Sequence, residues 1–152
     1  MIRRPHRIAT APRLPALAAA FAFAVGAAAP LLATGAELDI TVENVKGADG
    51  ALRVGLYASE ADYRKTAVRQ LQAIPAAGQV AIRFADLPPG EYAVAMYHDR
   101  NGNGKLDSNL VGIPTEPYGF SGERAAIGAP GWREARIRVE PEGAAISVRL
   151  SD

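Results

Sequence analysis

The segment Asp99-Arg100-Asn101-Gly102-Asn103-Gly104-Lys105-Leu106-Asp107 sets oxygen-bearing side chains at its first, third, fifth and ninth positions and glycine at its sixth. That spacing suits a hard cation. Calcium takes roughly six to eight oxygens at about 2.3–2.6 Å, alternate residues of a tight curl can turn oxygens inward, and a glycine at position six permits the bend. The pattern is the first three quarters of an EF-hand loop. It assigns Asp99, Asn101 and Asn103 as side-chain ligands, Lys105 as a backbone-carbonyl ligand, and Asp107 as a ligand directly or through water. Leu106 is expected to turn away from the ion and anchor the loop in the core. Leu110 stands at position twelve, where a full EF-hand loop carries a bidentate glutamate, so a further carboxylate must come from elsewhere and Glu116 is the candidate. With two or three carboxylates the site is expected to be weak, roughly 10⁻⁴–10⁻³ M, and structural. A loop rich in Asn and Gly can also turn without any ion, because both residues tolerate left-handed backbone.

Two other groups of residues could carry chemistry. His98 precedes Asp99, and a hydrolase would combine it with Asp99 and Glu116, or with Ser121 or Ser108 as nucleophile. No G-x-S-x-G elbow is present, and neighbours in a strand point to opposite faces, so Asp99 is badly placed to orient His98. Zinc would need several His or Cys ligands, and the chain outside its first residues offers one histidine. The second group is aromatic. Tyr118, Phe120 and Trp132 could form a carbohydrate- or peptide-binding platform, or simply pack a long loop onto the domain.

The elements that must position these residues are strands. Six segments alternate apolar and polar residues with period two: Leu38/Ile40/Val42, Leu52/Val54/Leu56, Val80/Ile82/Phe84, Tyr92/Val94/Met96, Ala135/Ile137/Val139 and Ala144/Ile146/Val148/Leu150. A short seventh strand is expected at 110–113. Residues 46–50 read as a hairpin loop between the first two strands. Residues 87–90 and 141–143 turn the third strand into the fourth and the fifth into the last. Residues 59–73 break the pattern and are expected to form one short helix or an ordered loop, with Glu60, Asp62, Arg64, Lys65 and Arg69 as a solvated face. Half-apolar strands need a second layer, so an all-β antiparallel β-sandwich of about seven strands is expected, with an open barrel second.

The first residues read as an export signal. Arg3, Arg4, Arg7 and Arg13 precede an apolar stretch from Leu14 to about Ala33, and Thr34-Gly35-Ala36 supplies small residues for cleavage. An uncleaved membrane anchor is the rival. The expected division is a signal peptide over 1–36 and one β-sandwich domain over 37–152. The leader takes four of the 17 basic residues and none of the 16 acidic ones, leaving the mature chain with 13 basic residues and a net charge of −3. That counts against nucleic acid as a partner. The absence of cysteine rules out disulfides and a lipid-modified cysteine anchor.

Several phrases also carry a family likeness. Leu87-Pro88-Pro89-Gly90-Glu91-Tyr92-Ala93-Val94-Ala95-Met96-Tyr97-His98-Asp99 runs directly into the Asn-Gly loop, and Gly112-Ile113-Pro114 and Glu116-Pro117-Tyr118-Gly119-Phe120-Ser121 follow it. With these the chain resembles the bacterial secreted-protein family known as domain of unknown function 2141. The resemblance implies export and a small β-domain, and brings no catalytic residues. The Gly-x-Tyr strand phrase is also similar to transthyretin-like, Ig-like and B-type surface-protein sandwiches, which are structural or binding modules, some with calcium in a D-x-N-x-N-G loop. The expectation is therefore an exported periplasmic or extracellular, non-enzymatic and monomeric module with structural calcium. Its expected partner is a protein or an envelope polymer, with no membrane contact after cleavage.

Overall fold

The computed structural model describes residues 35–123 and 128–151. The expected signal peptide lies outside them except for Gly35 and Ala36. The chain runs β1 (Ala36–Val45), β2 (Ala51–Tyr57), β3 (Arg69–Ala73), β4 (Gly78–Leu87), β5 (Gly90–Asp99), β6 (Tyr118–Phe120), α1 (Trp132–Ala135), β7 (Arg136–Val139) and β8 (Ala144–Arg149). Three strands form one sheet in the order β4-β1-β8. Five form the other, in the order β3-β2-β5-β6, with β7 also paired to β5.

The alternating residues explain why two layers form. Leu38, Ile40 and Val42 lie opposite Phe84, Ile82 and Val80 across β1 and β4. Leu52, Val54 and Leu56 lie opposite His98, Met96 and Val94 across β2 and β5. Both rows join one core cluster with Leu87, Val139, Val148 and Leu150. Each fully buried aliphatic or aromatic side chain there contributes about 1.5–3 kcal/mol. The result is a β-sandwich.

Several expectations change in detail. The turns at 46–50, 87–90 and 141–143 are where they were expected, but none closes a hairpin: each joins a strand of one sheet to a strand of the other. A Pro-Gly turn reverses the chain, and it does not decide whether the next strand pairs alongside or packs across the sandwich. The sandwich is not wholly antiparallel, because β8 crosses back to lie parallel to β1. Residues 59–73 divide into an ordered turn and β3, which pairs with β2. Residues 110–113 form no strand; the nearest pairing is an isolated bridge between Ser108 and Pro114. Ala36, the expected last residue of the leader, starts β1, is buried, and pairs with Leu87.

One glycine fixes how the candidate loop leaves the sheet. Gly50 has φ of 69°, and a Cβ there would fall 1.9 Å from the Asp99 carbonyl oxygen, so the connection into β2 can cross the end of β5 only with glycine.

Candidate functional site

Alternation along β5 separates its last two residues. His98 points into the sandwich and Asp99 to the outer face of the five-stranded sheet, both essentially fully buried. Arg53 on β2 shares that outer face, and its Nε donates to Asp99 Oδ2 at 2.6 Å. The loop then closes on the same carboxylate: Asn103 N donates to Oδ1 at 3.0 Å and Gly104 N to Oδ2 at 2.9 Å. Burial alone would raise the Asp99 pKa, but the Arg53 guanidinium and the two backbone N–H groups outweigh it and hold the carboxyl below its ordinary 3.8. The guanidinium is correspondingly raised, first by its hydrogen bond to Asp99.

The remaining loop residues gather around Asp107. Asn101 Nδ2 donates to its Oδ2 at 2.6 Å and Asn103 Nδ2 to its Oδ1 at 2.9 Å. The Asn oxygens accept short-range backbone bonds, from Asn103 N to Asn101 Oδ1 at 3.0 Å and from Lys105 N to Asn103 Oδ1 at 2.8 Å. Gly104 has φ of 81°, the left-handed turn expected of position six. Asp99, Asn101, Asn103 and Asp107 therefore share one curl. Glu116 is buried beneath it and accepts from Arg100 N at 2.8 Å and Asp107 N at 3.1 Å, spanning the two ends of the loop. Lys105 lies on the exposed rim. Leu106 does not anchor in the core: it is 37% exposed and turns toward the outer sheet face.

Among the described residues, no group of three or more His, Cys, Asp or Glu side chains could hold a metal. The loop offers two carboxylates, two amides and backbone carbonyls. Asn101 Oδ1, Asn103 Oδ1 and both Asp107 oxygens each accept one hydrogen bond and keep a second lone pair. That donor set fits a hard, oxygen-seeking cation and gives a transition metal no nitrogen or sulfur.

The groups of the hydrolase reading do not meet. His98 Nε2 bonds the Asp49 carbonyl oxygen at 2.7 Å, and its Nδ1 has no partner among the described residues. Ser121 Oγ accepts from Val94 N at 2.7 Å and donates to the Ala135 carbonyl at 2.6 Å. Glu116 is committed to backbone, and Ser108 is exposed.

The aromatic residues divide. Tyr118 and Phe120 lie edge to face at 5.8 Å on the outer sheet face. Trp132 packs edge-on to Tyr63 at 5.9 Å, on a small cluster with Ala93 and Ala135 against which Tyr57 and Phe120 also pack, and it does not line the face that Tyr118 and Phe120 share. Two tyrosines missed in the sequence join the first pair. Tyr97 lies opposite Tyr118 in the sheet, and Tyr57 stands on the same face. Between them Gly55 lies opposite Ala95 with Phe120 next along the row, and the Tyr57 ring lies over Gly55, where a Cβ would fall 2.9 Å from its hydroxyl. A trough of about 850 Å³ results. The 99–107 loop forms part of its wall through Gly104 and Leu106, and Tyr97 ties the wall to the sheet by donating its hydroxyl to the Gly104 carbonyl at 2.9 Å. Strand parity carried this signal: residues 53, 55 and 57 face outward because 52, 54 and 56 face inward.

The molecule is thus a small all-β sandwich with an Asn-Gly-rich loop and an aromatic trough on one sheet. The family model described as "Uncharacterized protein conserved in bacteria (DUF2141)" matches residues 40–147, and the chain belongs to that family. No curated protein and no solved structure matches it.

Proposed function

We propose that the chain is an exported, non-enzymatic binding module of the cell envelope whose 99–107 loop takes up a structural calcium ion. The observation that carries this reading is the shared curl of Asp99, Asn101, Asn103 and Asp107, with free lone pairs on Asn101, Asn103 and Asp107. Those side chains would ligate the ion together with the Lys105 carbonyl. Glu116 would hold the loop ends and complete the acidic set. Bound calcium would neutralise Asp107 and fix a segment whose backbone has few ladder partners. The test is calorimetric titration of the mature protein with calcium and magnesium, together with melting curves. Calcium at millimolar concentration is expected to raise Tm, and Asp107→Ala to abolish the rise. Superimposable melting curves in calcium and in chelator would reject the site.

A second reading, ligand binding on the outer sheet face, is favoured by the trough itself. Tyr118 and Phe120 line it as a carbohydrate- or peptide-binding platform requires, with Tyr57 and Tyr97 in the place expected for Trp132.

A further inference from the structure

We infer that the trough binds an acidic oligosaccharide, with Arg64 receiving a sugar carboxylate and the tyrosine and phenylalanine rings receiving sugar faces. The inference deepens the ligand-binding reading and stands whether or not the loop takes up calcium.

Charge comes first. Among the described residues lining the trough there are two arginines and no Asp or Glu. Arg53 is already paired with Asp99. Arg64 has no ion pair among the described residues, and its guanidinium lies 5.9 Å from the centroid of the Phe120 ring. A cation held over an aromatic face, in a concavity free of carboxylates, is a receptor for an anion.

Backbone strain points to the same residue. Arg64 has φ of 58°, a left-handed conformation costly for a side chain of this type. The turn holding it is well built. Ser59 Oγ bonds the Asp62 carboxylate and accepts from Asp62 N, and the N–H groups of Lys65 and Thr66 both donate to the Asp62 carbonyl. Tyr63, buried beside Ala93 and Ala135, clamps the turn to the outer sheet face. Glycine would relieve the strain, yet the position carries the one unpaired guanidinium described at the trough.

Leu71, Leu106 and Pro114 also line the trough, and the polar groups beside them favour a sugar over an acyl chain. Gln70 and Gln72 face the trough from β3, and Tyr57 and Tyr118 bring phenol groups, while the Tyr97 hydroxyl is already held by the Gly104 carbonyl. An acyl chain would bury these polar groups without partners, at a cost, whereas sugar hydroxyls can pair with them. Tyr57 lies over Gly55 and Arg64 stands over Phe120, and the half-buried rings of Tyr57, Tyr97, Tyr118 and Phe120 offer their exposed parts to the C–H face of a pyranose. The volume of about 850 Å³ falls in the range of small-ligand pockets, roughly 300–1,000 Å³.

The test uses trigalacturonic acid, its methyl ester and the neutral galactotriose, titrated calorimetrically into the mature protein in calcium and again in chelator. The acid should bind at least tenfold more tightly than the ester or the neutral trimer. Arg64→Gln should remove that preference, and Phe120→Ala should weaken all binding. Arg64→Gly is a second variant: it should melt no lower than the parent while losing the acid preference equally, which separates ligand recognition from folding. Equal affinity for acid and ester, or an acid preference that survives in both Arg64 variants, would overturn the inference and leave a neutral-ligand trough. Binding of none of the three at about 10 mM would overturn the ligand-binding reading with it.

Discussion

Replacing Glu116 with glutamine is the sharpest test of how the 99–107 loop is held. The carboxylate accepts one backbone N–H on each oxygen, from Arg100 at 2.8 Å and Asp107 at 3.1 Å, and it is buried. A hydrogen bond to a charged acceptor contributes about 1.5–3 kcal/mol, against about 0.5–1.5 kcal/mol for a neutral pair. Glutamine keeps one oxygen and sets an NH₂ group against the second N–H. One bond is lost and the other falls to the neutral value, so the loop should lose roughly 2–4 kcal/mol. At 1.4 kcal/mol per tenfold, that is about a 30- to 700-fold fall in amide-exchange protection. The assay is NMR-detected hydrogen exchange at Arg100 and Asp107, with the β1 amide of Ile40 as a reference in the core. Because these bonds need no ion, the loss should be present in chelator. Protection at both amides within about threefold of the parent would refute the account of Glu116 as the brace of the loop. A loss seen only in calcium would instead make its ion contacts dominant.

Ser121→Ala strands two buried backbone groups, Val94 N–H and the Ala135 carbonyl, and should cost roughly 2–4 kcal/mol in urea unfolding; a cost below about 1 kcal/mol would contradict the pairing. Burial pushes the Tyr63 phenol up to about 12 from its ordinary 10.0, and its hydroxyl has no partner among the described residues. The unfolded chain therefore gives up that proton first, and stability should fall between pH 10 and about 12 by at most roughly 2–3 kcal/mol. Tyr63→Phe should soften that fall and cost nothing at pH 7, as thermal unfolding across pH would show; an unaltered alkaline limb would count against it. Asp99 runs the other way: its carboxyl is held below 3.8, so the stability it supplies is complete above that value and lost as pH drops through the lower folded one. Asp99→Asn should flatten the acid limb of an unfolding series, and an unchanged acid limb would show the pairing with Arg53 to be idle.

How much of this was legible beforehand depended on residue parity. The rows at 38–42, 52–56, 80–84 and 92–96 announced their inward faces, because a half-buried strand has to repeat every second residue. β3 and β6 gave no such signal. Arg69–Ala73 is exposed along almost its whole length, and Tyr118–Phe120 has only Gly119 facing inward, where Val148 packs against its backbone. Strands recruited at a sheet margin take their register from their neighbour, so their own residues need carry no pattern. Pairing partners were hidden for a related reason: a tight turn is local, while the choice between the adjacent strand and the opposite sheet depends on how the whole core closes.

The loop and the trough show the same division at the level of chemistry. Asp99, Asn101, Asn103 and Asp107 could be grouped in advance because they lie within nine residues and the curl that joins them is local. Arg53 could not, since it reaches Asp99 from another strand, 46 residues away in sequence. Its charge does for Asp99 what a metal would do: with the Asn103 and Gly104 N–H groups it offsets the burial that pushes the carboxyl's pKa up. A cation approaching the loop therefore meets an Asp99 already half neutralised, and its strongest free attraction is to Asp107. The same salt bridge removes Arg53 from service in the trough and leaves Arg64 as its anion receptor. One buried salt bridge thus sets the charge of both sites: it lowers the loop's pull on cations and cancels Arg53 on the neighbouring sheet face, where the positive charge left among the described lining residues is that of Arg64.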